Sequence, residues 1–252
     1  MNSNDLLKKQ MRTLRITEAA LVIENLLIKA ENNHDSFQSF LINVLEYELK
    51  KREDKKIQKL YKLAKFPFNI TLDDFNLDEQ QSLTHKQLNQ LRELNWLEQV
   101  YNIIFLGPPG VGKTSLAVGL AIEAINRGYQ VTFTTMGDLV RVLNTQDLLT
   151  SSKNTIKKML KSDLVIIDDL MYMAMNPQEA NLFFQIINKL YNKTSIIFTS
   201  NKGPDEWGDL MGDVGITTAI LDRIIHKVEI IHLNGDSYRL KHRKTIFNNQ
   251  KN

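Results

Sequence analysis

The sequence predicts an α/β domain, a parallel sheet flanked by helices, behind a small all-helical front. Three observations carry this reading. All 11 glycines lie at or beyond Gly107, and Pro67 is the only proline before Pro108. The first hundred residues therefore hold only one residue of the two kinds that break helices, Pro67. Beyond them, short apolar runs of β type alternate with helical patterns, the order expected of a parallel sheet covered on both faces. The first such run ends in a glycine-rich turn that opens a helix.

In the front, apolar Leu14, Leu21, Leu26 and Leu27 predict a helix over Leu14–Ala30. Ser36 is placed to cap a second helix through Leu49, with Phe37, Phe40, Leu41, Val44 and Leu45 on its apolar positions. That pattern runs on to Lys65. Pro67 cannot continue a helix, so the domain boundary is set at residue 66, with a helical domain over 1–66 and an α/β domain over 67–252. The predicted strands are Asn102–Leu106, Gln130–Thr134, Leu164–Ile167, Ser195–Thr199 and Val228–Leu233. The predicted helices between and after them are Lys113–Arg127, Gly137–Asn144, Thr155–Leu160, Pro177–Tyr191 and Ala219–His226.

Composition excludes several chemistries. The chain of 252 residues has no cysteine, which removes disulfides, thiolate nucleophiles, iron–sulfur clusters and Cys-based zinc sites and fits a reducing cytoplasm. His34, His85, His226, His232 and His242 lack the spacing of zinc ligands. No apolar run approaches the roughly 18 residues of a membrane span, and the first residues lead into no signal-peptide core. The net charge of +3 points to no partner by itself. Its distribution is more informative. Residues 1–66 carry 13 basic and 9 acidic side chains, residues 67–219 carry 12 and 17, and residues 220–252 carry 7 and 3.

The segment Gly107-Pro108-Pro109-Gly110-Val111-Gly112-Lys113-Thr114, followed by Ser115, matches a phosphate-binding loop in spacing and in context, since it joins an apolar strand to a helix. Its glycines let successive N–H groups turn toward one anion, and the helix start adds partial positive charge. Lys113 is expected to reach the β- and γ-phosphates and Thr114 to ligate Mg²⁺. The run Leu164-Val165-Ile166-Ile167-Asp168-Asp169 delivers two carboxylates to the C-terminal edge of a strand, where ligands bind in open α/β sheets. Asp168 is expected to orient Mg²⁺, and Asp169 to act as general base on the attacking water. Asn201 ends a third strand and can hold that water by its amide. Arg223 and Arg239 are the candidate arginines for the γ-phosphate; spacing alone does not choose between them or separate either from a structural ion pair.

These motifs resemble those of the IstB-type ATPases, transposition helper proteins of bacterial insertion sequences and AAA+ proteins similar to DnaC-type helicase loaders. The resemblance runs from about Tyr47 to Arg243. It is carried by Lys65-Phe66-Pro67, Thr71-Leu72-Asp73-Asp74-Phe75, Gly107–Thr114, Ile167-Asp168-Asp169-Leu170 and Glu179-Ala180-Asn181-Leu182-Phe183. Thr199-Ser200-Asn201, Glu206-Trp207-Gly208, Ala219-Ile220-Leu221-Asp222-Arg223 and Ser237-Tyr238-Arg239 complete it. It implies an AAA+ P-loop fold and an ATPase that uses ATP and Mg²⁺. By the same resemblance Asn201 is a γ-phosphate sensor, Arg223 a finger acting on a neighbouring subunit's ATP, and Arg239 a second sensor acting within its own subunit. A finger in trans implies an oligomer assembled on ATP. Two features depart from the pattern: Asp169 stands where many relatives have Glu, and Met171-Tyr172-Met173-Ala174-Met175 replaces a glycine and a short Leu-Pro turn.

The stretch Lys50–Lys65 holds 8 basic and 2 acidic residues. Lys51, Arg52, Lys55, Lys56, Lys59 and Lys62 are the candidate DNA contacts, most of them at helical three- and four-residue spacings, a stripe suited to phosphate backbone and carrying no base code. The expected partners are duplex DNA, a transposase and further copies of the chain, with no membrane. The function this predicts is an ATP-dependent DNA-binding helper that oligomerises on duplex DNA and directs a transposase. The alternatives are a DnaC-type replicative helicase loader, a small-molecule P-loop kinase and a DNA scaffold that binds ATP without turnover.

Overall fold

The computed structural model describes residues 2–77, 82–170, 174–208 and 214–241. The chain divides into two compact units, Met1–Lys59 and Leu60–Asn252. The division falls inside a long helix, ahead of the Phe66-Pro67 break.

The second unit holds five parallel strands among the described residues: β1 (Asn102–Leu106), β2 (Val131–Thr135), β3 (Leu164–Asp168), β4 (Ser195–Ser200) and β5 (Val228–His232). Their order in the sheet is β2-β3-β4-β1-β5. Every strand lies within one residue of its predicted limits, because β1, β3 and β4 are nearly continuous apolar runs, as strands buried on both faces must be. The register pairs Leu106 with Ser200 and Ile167 with Phe198. The C-terminal ends of β1, β3 and β4 therefore lie side by side, which is where the site forms.

Ile104, Leu106, Val165, Ile167, Ile196 and Phe198 point to one face of the sheet, into a core shared with Leu139, Phe183, Ile187, Ile220 and Trp207. All of those partners but Trp207 come from α7 (Met136–Asn144), α9 (Pro177–Leu190) and α10 (Val214–Ile225). The alternate residues Ile103, Phe105, Leu164, Ile166 and Ile197 are equally buried and point the other way, toward α6 (Lys113–Asn126). Shorter helices α4 (His85–Arg92), α5 (Asn95–Glu98) and α8 (Thr150–Met159), and a final helical turn Tyr238–Lys241, complete this unit. Two predicted helices begin late: the structure starts α8 at Thr150 rather than Thr155, and α10 reaches back to Val214 rather than Ala219. Asn176 and Glu179 form a reciprocal cap on α9 (2.9 and 3.0 Å), with Pro177 in its first turn. Of the departing Met171–Met175 segment, residues 171–173 lie outside the described residues, and Met175 is buried in the core.

The first unit comprises α1 (Ser3–Thr13), α2 (Thr17–Asn33) and most of α3 (Phe37–Ala64) around Met11, Ala19, Ala20, Ile23 and Val44. The helix expected over Leu14–Ala30 is corrected here. Leu14 caps the end of α1, Arg15 takes a left-handed φ of 62°, and α2 starts at Thr17. The apolar spacing ran through the turn and concealed it.

Helix α2 starts without a cap of its own, since Ile16 holds the cap position. Glu48, from α3, supplies it. Its carboxylate accepts N–H bonds from Thr17 (3.1 Å), Glu18 (2.7 Å) and Ala19 (2.7 Å), and a further bond from Arg52 Nε (2.7 Å). Burial pushes the Glu48 carboxyl up, but the Ala19, Arg52 and Glu18 donors outweigh it and hold the group below its ordinary value. A carboxyl so depressed contributes stability that is present above its unfolded-state value and lost as pH falls through the folded one. Replacing Glu48 by Ala is expected to lower the stability of the helical unit by about 2–3 kcal/mol at neutral pH. Urea unfolding of the intact chain, followed by far-UV circular dichroism, measures this. The gap from the wild type should shrink below the ordinary carboxylate range.

Candidate functional site

The loop between β1 and α6 is shaped by positions that only glycine occupies without strain. Gly107, Gly110 and Gly112 have φ of 148°, 86° and 98°. A methyl group on Gly107 would strike the backbone carbonyl of Leu233, one on Gly110 the Ser237 side chain, and one on Gly112 the Phe75 ring. Pro108, Pro109 and Val111 fill the loop between the glycines. Gly107 N–H reaches Ser200 O (3.3 Å), Leu233 N–H bonds Leu106 O (2.7 Å), and Tyr238 N–H bonds Gly110 O (3.0 Å). Helix α6 begins at Lys113 with no side-chain cap, so its first N–H groups, those of Lys113, Thr114 and Ser115, have no intrahelical acceptor.

Lys113 is 6% exposed. Its ammonium donates to Gly107 O (2.6 Å), Pro108 O (2.9 Å) and Asn201 Oδ1 (2.6 Å). Burial lowers its pKa; Asp169 and Asp168 oppose that, and the charge of Arg239 reinforces it. Asp168, at the end of β3, is likewise 6% exposed. Its Oδ1 accepts the hydroxyls of Thr114 (2.8 Å) and Thr199 (2.6 Å). Burial raises its pKa, against the pull of those two hydrogen bonds. The chain then turns sharply, with Asp169 in the left-handed region at φ 53°. Aspartate is among the few side chains enriched there, which gives its presence at this position a local backbone reason. Asp169 N–H bonds Thr199 Oγ1 (2.9 Å), and Leu170 N–H bonds Thr199 O (2.9 Å).

The structure thus brings together Gly107–Ser115, Asp168, Asp169 and Asn201, with Arg239 near enough to act on Lys113 by its charge. Arg223 stands elsewhere. It lies near the end of α10, whose Ile224 O accepts Asn102 Nδ2 (2.9 Å), so it sits at the N-terminal edge of the sheet, opposite the loop. There its guanidinium lies 4.7 Å from the Phe184 ring centre and donates to Asn188 Oδ1 and Ala219 O (2.8 Å each). Phe75, Leu233 and Ser237 pack on the loop, and spacing had given none of them a role. The family resemblance singles out Thr71–Phe75 and Ser237–Arg239, which hold Phe75 and Ser237, but no local signal in the sequence ties these or Leu233 to the loop.

In the helical unit and the helix that leaves it, three of the six candidate DNA contacts have acidic partners. Arg52 pairs with Glu48, Lys55 with Glu18 (2.6 Å) and Lys51 with Asp54 (3.6 Å). Lys56, Lys59 and Lys62 are exposed and make no ion pair among the described residues. The described residues hold no group of three or more His, Cys, Asp or Glu side chains able to bind a metal alone, and no helix among them is long and apolar enough to cross a membrane.

A family model of the IstB-like ATP binding protein matches residues 9–246. The chain belongs to this family. It is 38% identical over 222 residues to the ATP-binding protein of insertion sequence IS5376 from Geobacillus stearothermophilus, covering 88% of each chain. It is 36% identical over 239 residues to an IS21-like ATP-binding protein from Bacteroides fragilis, covering 95% of this chain and 91% of that one. Among solved structures, the DnaC helicase loader superposes with a TM-score of 0.54 at 22% identity, over 68% of this chain and 100% of that one. AMPPCP-bound DnaA from Aquifex aeolicus gives 0.53 at 23%, over 68% and 52%. These likenesses show the fold: an AAA+ sheet with flanking helices. Membership of the IstB-like family implies ATP binding and association with an insertion sequence.

Gly107 is the most tightly enclosed loop position. Gly107→Ala is expected to cost more than about 2 kcal/mol, because φ and the Leu233 carbonyl both exclude a methyl group. Gly208→Ala, where the new methyl meets nothing within 4 Å, should stay within about 0.5 kcal/mol of the wild type. Chemical denaturation of both variants checks the pair.

Proposed function

We infer that this IstB-family protein hydrolyses ATP, assembles on duplex DNA and directs the transposase of its insertion sequence. The observation that supports turnover is the meeting of the phosphate loop, two carboxylates and one amide at a single edge of the sheet. The donor set suits a nucleotide with Mg²⁺. Thr114 and Asp168 already share a hydrogen bond, and the buried Asp168 carboxylate gains from a cation beside it. Mg²⁺ held there would offset the negative charge of the β- and γ-phosphates. Lys113 exchanges loop carbonyls for phosphate oxygens. Asp169 accepts the proton of the attacking water, Asn201 orients that water, and Arg239 reaches the γ-phosphate of its own subunit.

Arg223 cannot serve its own site from the far edge of the sheet. A neighbouring subunit's nucleotide is the target its position suits, and this makes assembly part of the chemistry. Lys56, Lys59 and Lys62 supply a charged stripe for the DNA backbone, with Lys51, Arg52 and Lys55 shared between DNA and their acidic partners.

Electron microscopy with duplex DNA and a non-hydrolysable ATP analogue is expected to show oligomers that ADP does not support. A protein that stays monomeric under those conditions contradicts the reading. Phosphate contacts further predict strong salt dependence. Changing Lys56, Lys59 and Lys62 together to Ala should weaken DNA binding for every sequence tested and flatten the log–log salt slope by about 2.7. Fluorescence anisotropy across a salt series measures this, and an unchanged slope would remove the stripe from the DNA surface.

A further inference from the structure

Thr199 is fully buried at the end of β4 and lies between the two acidic residues. Its hydroxyl does two things at once. It donates to Asp168 Oδ1 at 2.6 Å and accepts the N–H of Asp169 at 2.9 Å. Its backbone carbonyl also takes the N–H of Leu170 at 2.9 Å. Three consecutive residues are therefore held by one, across the point where β3 ends and Asp169 enters its left-handed turn. The arrangement joins the carboxylate assigned to the metal side of the site to the one assigned to the water side.

We propose that Thr199 is a positioning residue for ATP turnover, whose hydroxyl fixes the Asp168 carboxylate and the Asp169 backbone relative to each other. The inference rests on the ATPase reading above. Only a hydroxyl has the needed chemistry, since it can give one hydrogen bond and accept another from a single atom. Valine has the same shape and can do neither. It would leave a buried N–H without its acceptor and Asp168 Oδ1 with one donor instead of two. The carbonyl bond to Leu170 survives any side-chain change, so substitution isolates the hydroxyl. The sheet stays paired, and what relaxes is the angle at which Asp169 leaves the strand. Partners of this kind behind a reacting group typically contribute 10- to 100-fold, and small misplacements of reacting groups are costly in rate.

The test compares wild type, Thr199→Val, Thr199→Ala, Thr199→Ser and Asp169→Asn, and combines Thr199→Val with Asp169→Asn. Phosphate release gives kcat and KM. A fluorescent ATP analogue gives affinity without Mg²⁺, and melting temperature reports folding. Thr199→Val and Thr199→Ala are expected to lower kcat about 10- to 100-fold. KM and metal-free affinity should stay within about threefold of wild type. Thr199→Ser should recover most of the rate. In the double variant, Thr199→Val should add less than it does alone, because part of its effect runs through Asp169. The proposal is overturned if either hydroxyl-free variant turns over at the wild-type rate while Asp169→Asn does not. Full additivity in the double variant, or a loss confined to nucleotide affinity, overturns it as well. Equal rates in wild type and Asp169→Asn would sink the ATPase reading itself, and the positioning role with it.

Discussion

One buried carboxylate oxygen joins the parts of the candidate nucleotide site. Asp168 Oδ1 accepts a hydroxyl from Thr114 on α6 and another from Thr199 on β4, while its own backbone closes β3. Three elements far apart in the sequence are brought together within two hydrogen bonds. A carboxylate this buried stays charged only when donors replace its lost hydration, so it constrains its surroundings as much as they hold it. The strand order β2-β3-β4-β1-β5 makes the arrangement possible. It sets β4 between β3 and β1, so that Thr199 faces Asp168 on one side and Asn201 reaches Lys113 on the other. Two carboxylates of the acidic middle, Asp168 and Asp169, stand beside a lysine whose burial works against its charge.

Much of the α/β unit could be read from the residues. Strands β1, β3 and β4 are apolar runs bounded by polar ends, and the loop at Gly107–Thr114 matches a phosphate-binding loop in spacing and in context. The strand order could not be read this way, because crossovers set it and no local pattern encodes which strands become neighbours. Helix α4 was missed although its signal was present: Thr84 and Gln87 form a reciprocal cap, and the short, weakly apolar helix behind them gave no periodicity to notice. The opposite error occurred at Leu14. The expected helix starts at Leu14, three residues ahead of α2 and across the turn at Arg15, and the residue that caps α2, Glu48, lies 31 positions from Thr17. A cap supplied from another helix leaves no trace near the helix it caps.

The basic stripe shows the same limit for charge. Counting lysines and arginines along α3 treats them as equivalent, yet Arg52 belongs to the Glu48 cap and Lys55 to Glu18. Their charges are partly spent within the helical unit, whereas Lys56, Lys59 and Lys62 face solvent. The two arginines of the C-terminal block separate just as clearly. Arg239 follows the segment docked on the phosphate loop, and Arg223 lies across the sheet, held on α9 by Phe184 and Asn188. Their distance in sequence is small, but the strand between them carries the chain from one edge of the sheet to the other.

That separation underlies the proposal that each nucleotide site is completed by a second copy of the chain. Mixing two inactive variants tests this most directly. Lys113→Ala lacks the phosphate lysine and keeps Arg223, while Arg223→Ala lacks the finger and keeps Lys113. Each alone should release almost no phosphate from ATP. In an equal mixture assembled on DNA, random neighbours restore about a quarter of the interfaces, given head-to-tail contacts between subunits, and turnover should recover in that proportion. A mixture as inactive as its components, or an Arg223→Ala protein that hydrolyses ATP at the wild-type rate, would contradict the shared site.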